Sequence, residues 1–452
     1  MHIEFLLDRF NEAKDSPAII WQDTPYTYGW LAERVQDWIT FIDQSGVGAG
    51  HVVSLEADFS PNSIALFLAL IHRSVILVPL TRTLPESKRD LFYRIASVQA
   101  SLRLDENEIV ELIWHPYEPT HQFLKDLRDL AHAGLIVFTS GSTGLNKAAV
   151  HDFVPLLDKF IPTRSSLRTI TFLLFDHLGG INTMLYILSN LGTIVTVSNR
   201  QPDNILRAVE LHRVELLPTS PTFLNLMIIS EAYKNHDLSS LKKITYGTEP
   251  MPEFTLRRLQ SIFPKVDLQQ TYGLSELGVM RSKSRSSDSL WVKIGGEGFE
   301  TRIVDGLLEI KAQSAMLGYL NAPSPFTKDG WFITGDRVLS DGEYIRILGR
   351  QSEIINVGGE KVYPMEVENV IFEMENVLDV TVFSRDHAFT GKVVCALVNL
   401  KEPEDEKRFA LKVKKHCFHK LKPFQVPVDI TITNNKQYSD RYKKLRSGPR
   451  EN

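Results

Sequence analysis

"VFTSGSTGLNKAAV", Val137 to Val150, runs from an apolar segment into a loop of glycines and hydroxyl residues, meets a lysine and turns apolar again. Such a loop offers unhindered backbone N–H groups and hydroxyl donors, the groups that hold phosphate. It is not the common nucleotide loop, in which the second glycine is followed at once by Lys and Ser/Thr. Here Leu145-Asn146 separate Gly144 from Lys147, and Ala148 follows. Further on, Phe153, Leu156, Leu157 and Phe160 fall at helical spacing, so the loop is expected between a strand and a helix.

Working outward, apolar runs rich in β-branched residues ("HVVSLEA", "VILVPL", "GLIVFTS", "TIVTVS", "VELLPTS") alternate with helix-period segments. That alternation predicts an α/β fold with partly parallel sheets. Near residue 290 the texture changes. "TRIVDGLLEIKA" and "RVLSDGEYIRILGR" each set Asp-Gly between apolar runs, a hairpin signal. After Gly349-Arg350, Pro364 opens a helix with Val367, Val370, Ile371 and Met374 on one face, followed by two strands, a basic amphipathic helix and a last strand. The expected architecture is a large N-terminal α/β domain (1–349) of layered subdomains with a β-rich subdomain, then a small mobile α+β domain (350–452). The final stretch "YKKLRSGPREN" is basic and is expected to be mobile.

At 452 residues the chain exceeds a single core, and 43% hydrophobic with 23% charged residues is ordinary soluble composition. A net charge of -4 gives no reason to expect nucleic acid as partner. Cys395 and Cys417 are the only cysteines, which excludes a disulfide framework and fits a reducing compartment. The apolar neighbourhood "SIALFLALIHRSVILVPL" is broken by His72-Arg73 and reads as a buried helix, a turn and a buried strand, so no transmembrane segment is expected. The N-terminus lacks a signal-peptide pattern, and the expected location is cytoplasmic.

Three further motifs follow the opening loop in order: "QTYGLSELG" (Gln270–Gly278), "WFITGD" (Trp331–Asp336) and "LGRQSEIINVGGEKVYPMEVE" (Leu348–Glu368). With the small C-terminal domain, this set resembles the adenylate-forming superfamily: acyl-CoA synthetases, adenylation domains and beetle luciferases. The resemblance implies a ligase that joins a carboxylate to the α-phosphate of ATP, releases pyrophosphate, and passes the acyl group to a thiol of CoA or of phosphopantetheine on a separate carrier protein. A catalytically degenerate adenylate-binding sensor is the reading of another class.

Residue by residue, the resemblance implies that Thr139, Ser140, Gly141, Ser142, Thr143, Gly144 and Lys147 hold the β- and γ-phosphates. Gly247, Thr248 and Glu249 would lie on the adenine side, and Tyr272 would stack on the base. Ser275 would donate to the α-phosphate and Glu276 would hold Mg2+. Asp336 would bind the ribose and Arg350 would close the same site. Ser352 stands at the hinge, where the family carries Asp or Lys. Gly358 and Gly359 would let the pantetheine arm approach closely.

The catalytic lysine of the resemblance falls in "QYSDRYKKLR", Gln437 to Arg446, where Gln437 replaces the family's Pro, Ser439 its Thr and Tyr442 its Gly. Arg446 is retained, which places Lys443 at the catalytic position with Lys444 one residue away. "FLLFDHLGGIN" aligns His177 with the gate residue beside the substrate carboxylate, with Gly179-Gly180 toward the acyl pocket. Asp176 precedes the gate, which argues against an amino-acid substrate.

Overall fold

The computed structural model describes residues 2–140, 146–439 and 441–446. Two seven-stranded sheets form the body. In the first, Asp267–Gln270, Lys243–Tyr246, Leu216–Thr219, Thr169–Ile170, Ile194–Val195 and Pro17–Trp21 run in this order as parallel neighbours, with Thr24–Thr27 antiparallel at the edge. In the second, Gly134–Ser140, Ile76–Leu80, Val52–Glu56 and Ala100–Leu104 are parallel, flanked by antiparallel edges. The apolar neighbourhood of the sequence is the buried helix Pro61–His72, capped by Ser60, and the buried strand Ile76–Leu80. Among the described residues no helix is long and apolar enough to cross a membrane.

The two Asp-Gly signals are hairpin turns inside a six-stranded antiparallel sheet. Asp305 and Gly306 both adopt positive φ (51° and 77°), as the tight turn between Phe299–Val304 and Leu307–Ala312 requires. Arg350 ends the strand Tyr344–Arg350 of this sheet; the C-terminal sheet begins at Ile355. There Val377–His387 and Gly391–Leu400 pair antiparallel, Asp429–Ile432 joins in parallel, and helices Pro364–Phe372 and Glu406–Phe418 cover a separate apolar core that includes Cys417.

Two expectations need correction. The glycine loop does not lead from a strand into a helix: Gly134–Ser140 pairs antiparallel with Asn146–Asp152, and the helix Phe153–Asp158 starts only after that second strand. The helical apolar spacing is real, but the run before it, "KAAVHD", is a strand. The strand Asn146–Asp152 therefore stands between the loop and that helix. The basic tail is also not loose where it is described: Tyr442 is buried in the core around the first sheet, and Lys444 and Arg446 are largely enclosed.

Candidate active site

Two connected concavities meet where the tail packs. One, of about 750 Å³, opens between the first sheet, the hairpin and the helix Leu178–Ser189; the other lies between the large and C-terminal domains. Lys443 lines both.

The β-rich sheet supplies the first charged pair. Asp336 and Arg350 face each other across antiparallel strands, with Arg350 Nε 3.2 Å from Asp336 Oδ1. The Tyr272 hydroxyl donates to Asp336 Oδ2 at 2.5 Å. Burial holds the Asp336 carboxyl above its ordinary value, although Arg350 and Tyr272 pull the other way. Burial likewise pushes the Tyr272 hydroxyl far up, so it stays a donor.

Ser275 and Glu276 face the larger cleft. The buried His151 ring donates from Nε2 to the Ser275 carbonyl at 2.6 Å; burial lowers its pKa to about 4, so it is a neutral strut. Glu276 Oε1 accepts from the Tyr319 hydroxyl at 2.6 Å, and the Lys147 ammonium stands 5.1 Å from the centre of the same ring. Lys147 pairs with Thr139 across the hairpin, and Thr139 lines the cleft. Ser140 belongs to the same strand; Gly141, Ser142, Thr143 and Gly144 lie outside the described residues.

Gly247 and Thr248 line the cleft beside Tyr272. A Cβ at Gly247 would lie 2.5 Å from Thr271 Oγ1, so only glycine fits without a shift. Thr248 holds φ of 72°, an outlier for a β-branched residue and the kind of strain that clusters at functional sites. Glu249 is committed elsewhere: it accepts from the Thr222 backbone N–H (2.8 Å) and hydroxyl (2.5 Å) and from the Lys444 N–H (2.9 Å). It ties the tail to the N-terminus of helix Pro221–Ser230.

His177 caps the helix Leu178–Ser189, its Nδ1 accepting from the Gly179 N–H at 3.0 Å. Burial, then the charges of Arg441 and Lys443, lower its pKa to about 3, so the ring is neutral. Its neighbour Asp176 is buried and takes the Arg441 guanidinium at 2.6 Å. That contact takes one oxygen of the carboxylate, Oδ2.

The adjacent lysines diverge. Lys444 Nζ donates to the Val380 carbonyl at 2.5 Å and lies 3.2 Å from Asp379, inside the C-terminal domain. Lys443 lines both concavities with Arg350, and the smaller one with Asp336 as well; burial followed by the Arg350 charge lowers its pKa. Gly358 and Gly359 are not brought to the cleft. They form the exposed turn between Ile355–Val357 and Glu360–Val362, at φ of 60° and 93°.

Residues 7–311 match the AMP-binding enzyme family, and residues 366–439 match the C-terminal domain of AMP-binding enzymes. The chain belongs to the AMP-binding enzyme family. This AMP-binding enzyme is 31% identical over 291 residues to indoleacetate–CoA ligase of Aromatoleum aromaticum, an alignment spanning 58% of the chain and 56% of that ligase. It thus spans little more than half of that relative's length. It is 24% identical to 2-succinylbenzoate–CoA ligase of Enterococcus faecalis over 92% of the chain and 91% of the relative. Its fold superposes on an anthranilate CoA ligase in complex with anthranoyl-AMP with a TM-score of 0.84, at 18% identity, covering 98% of the chain and 95% of that structure.

Sequence reading missed Tyr319, which links Lys147 to Glu276, because "GYL" stands in no motif. It also missed the Arg441–Asp176 contact, whose two halves lie 265 residues apart.

A magnesium ion fits this donor set in one way. Among the described residues no three His, Cys, Asp or Glu side chains converge on a metal position. Glu276 alone faces the cleft near Lys147 and Tyr319, a lone carboxylate suited to a hard cation that takes its other oxygens from phosphate and water.

Proposed function

We propose that this AMP-binding enzyme activates a carboxylic acid with ATP and transfers the acyl group to the thiol of CoA. In the first step a carboxylate oxygen bonds to the α-phosphorus, the bond to the bridging oxygen breaks, and pyrophosphate leaves with that electron pair. The observation that carries this reading is the position of Lys443: among the described residues its ammonium makes no ion pair, and it lines the larger cleft with Arg350, Glu276 and His177 and the adjoining concavity with Asp336. An ammonium set beside the Arg350 charge with no carboxylate partner is unfavourable until an anion arrives to meet it. Phosphate oxygens of ATP are such anions.

The assigned roles follow from placement. Asp336 accepts from ribose hydroxyls; Tyr272 fixes that carboxylate and presents its ring to the base. Arg350 and Lys443 take the charge that develops on the α-phosphate. Thr139 and Lys147, with the glycine loop, take the pyrophosphate end. Glu276 would hold Mg2+, which supplies charge neutralisation on the phosphates. Neutral His177 stands beside the incoming carboxylate without repelling or neutralising it. CoA is favoured as acceptor because both relatives named above are CoA ligases. With Gly358-Gly359 exposed away from the cleft, thiol transfer would require the C-terminal domain to turn about the Arg350–Ser352 junction.

ATP–pyrophosphate exchange against a panel of fatty, aryl, hydroxy and amino acids tests the first step. Exchange with one class, followed by CoA-dependent AMP release, is the expected result. ATP binding without exchange for any acid would point instead to an adenylate sensor. Turnover only with a phosphopantetheinylated carrier protein would replace CoA as acceptor.

A further inference from the structure

Beyond the polar groups assigned above, the larger cleft is lined by cations that the reaction does not use, Lys159 and Arg164 among them. Lys159 follows the helix Phe153–Asp158, and Arg164 lies five residues on; both line the cleft. Lys159 Nζ donates to the Val279 carbonyl at 3.3 Å. Among the described residues neither side chain makes an ion pair with a carboxylate. Asp158 also lines the cleft but is exposed and pairs with neither. The two cations feel each other: burial first, and then the Arg164 charge, lower the Lys159 pKa to about 8.

The opposite wall is one face of the helix Leu178–Ser189, with Gly179, Asn182, Thr183 and Tyr186 on the cleft. His177 caps its start, and near its end the Arg164 N–H donates to Asn190 Oδ1 at 2.5 Å. From Gly179 to Tyr186 this wall runs about 10 Å, at about 1.5 Å per residue. An acid whose reacting carboxylate lies beside His177 would therefore extend along the helix toward the two cations. Enclosing a lysine and an arginine together without an anion is unfavourable twice over, through lost hydration and through mutual repulsion. A ligand anion removes both penalties and gains charge-assisted hydrogen bonds.

We propose that Lys159 and Arg164 form the distal end of the acyl site and select an acid bearing a second carboxylate. The proposal rests on the adenylation reading for the first carboxylate and names the substrate class: dicarboxylic acids activated at one end.

The test pairs acids of equal length: glutaric with valeric, adipic with hexanoic, suberic with octanoic and sebacic with decanoic. Exchange kinetics are measured for the wild-type chain, Lys159→Met and Arg164→Gln, alongside calorimetric titration of each acid. The wild type is expected to favour a diacid over its partner by at least about tenfold in kcat/KM, the scale of hydrogen bonds to a charged group. Lys159→Met should erase that preference while leaving the monoacid unharmed, and Arg164→Gln should weaken it. Equal use of both acids by the wild type, or a Lys159→Met loss shared equally by both, would overturn the proposal. If no acid supports exchange, calorimetry decides. Diacid binding that Lys159→Met abolishes keeps the anion site and sinks the adenylation reading; no diacid binding overturns the site itself.

Discussion

Arg441 reaches from the C-terminal segment to Asp176, Nη2 to Oδ2 at 2.6 Å, next to the residue that caps the helix Leu178–Ser189. Among the described residues Asp176 Oδ1 has no hydrogen-bond partner, and Arg441 is the largest compensation of the carboxylate's burial. It fastens the segment bearing Lys443 to the wall bearing His177. Asp176→Asn should therefore slow ATP–pyrophosphate exchange by roughly fivefold, since Arg441 is partly exposed and the pair is worth about 1 kcal/mol. Thioester formation from preformed acyl-adenylate, in which the segment need not be docked, should be unchanged. Equal slowing of both half-reactions would contradict a docking role.

Lys443 and Lys444 should separate cleanly. Lys443→Ala should cut exchange by at least about a hundredfold, as expected for loss of a charged donor to developing phosphate charge, with little change in thermal stability. Lys444→Ala should do the reverse. It leaves the half-buried Asp379 without its ion-pair partner and removes the hydrogen bond to Val380. A steep exchange loss confined to Lys444→Ala would move the catalytic assignment by one residue.

The lowered pKa of Lys443 fixes the sign of two pH effects. Its ammonium is lost below the ordinary lysine value of 10.5, so exchange should fall on an alkaline limb that begins below that value. Stability runs the other way. A lysine that binds its proton less tightly folded than unfolded penalises folding while charged, and that penalty fades as pH rises through the folded value. Lys443→Arg should shift the exchange limb to higher pH, as measured by exchange profiles of the two proteins.

Much of this architecture was legible because periodicity and turn chemistry are local. The Asp305-Gly306 turn, the helix opened by Pro364 and the buried pair Pro61–His72 and Ile76–Leu80 all follow from neighbouring residues. The strand Asn146–Asp152 was not legible, since its alternation is overwritten by a lysine, two alanines and a histidine that bonds Ser275. The fate of the tail was hidden for another reason. A basic run reads as a solvated surface, and its partners Glu249, Glu368 and Asp176 are distant in sequence.

Tyr442 offers the sharpest test of that docking. It stands where the resemblance expects glycine, and its backbone keeps a positive φ of 51°. The ring packs against Phe172, Phe223 and Tyr438, the hydroxyl donates to the Arg200 carbonyl at 2.8 Å, and the Tyr442 carbonyl accepts from Ser220 at 2.7 Å. Tyr442→Phe removes only the hydroxyl contact and should weaken docking by about 1 kcal/mol. Tyr442→Ala loses the buried ring, about 3 kcal/mol or more, and keeps the left-handed strain. Tyr442→Gly loses the same ring but relieves about 1 kcal/mol of that strain. The expected order of exchange activity is therefore wild type, Phe, Gly, Ala, with protease sensitivity of the tail rising in the same order. Alanine outperforming glycine would mean that the left-handed backbone is not kept when the ring is gone, and the anchor would then be the ring alone.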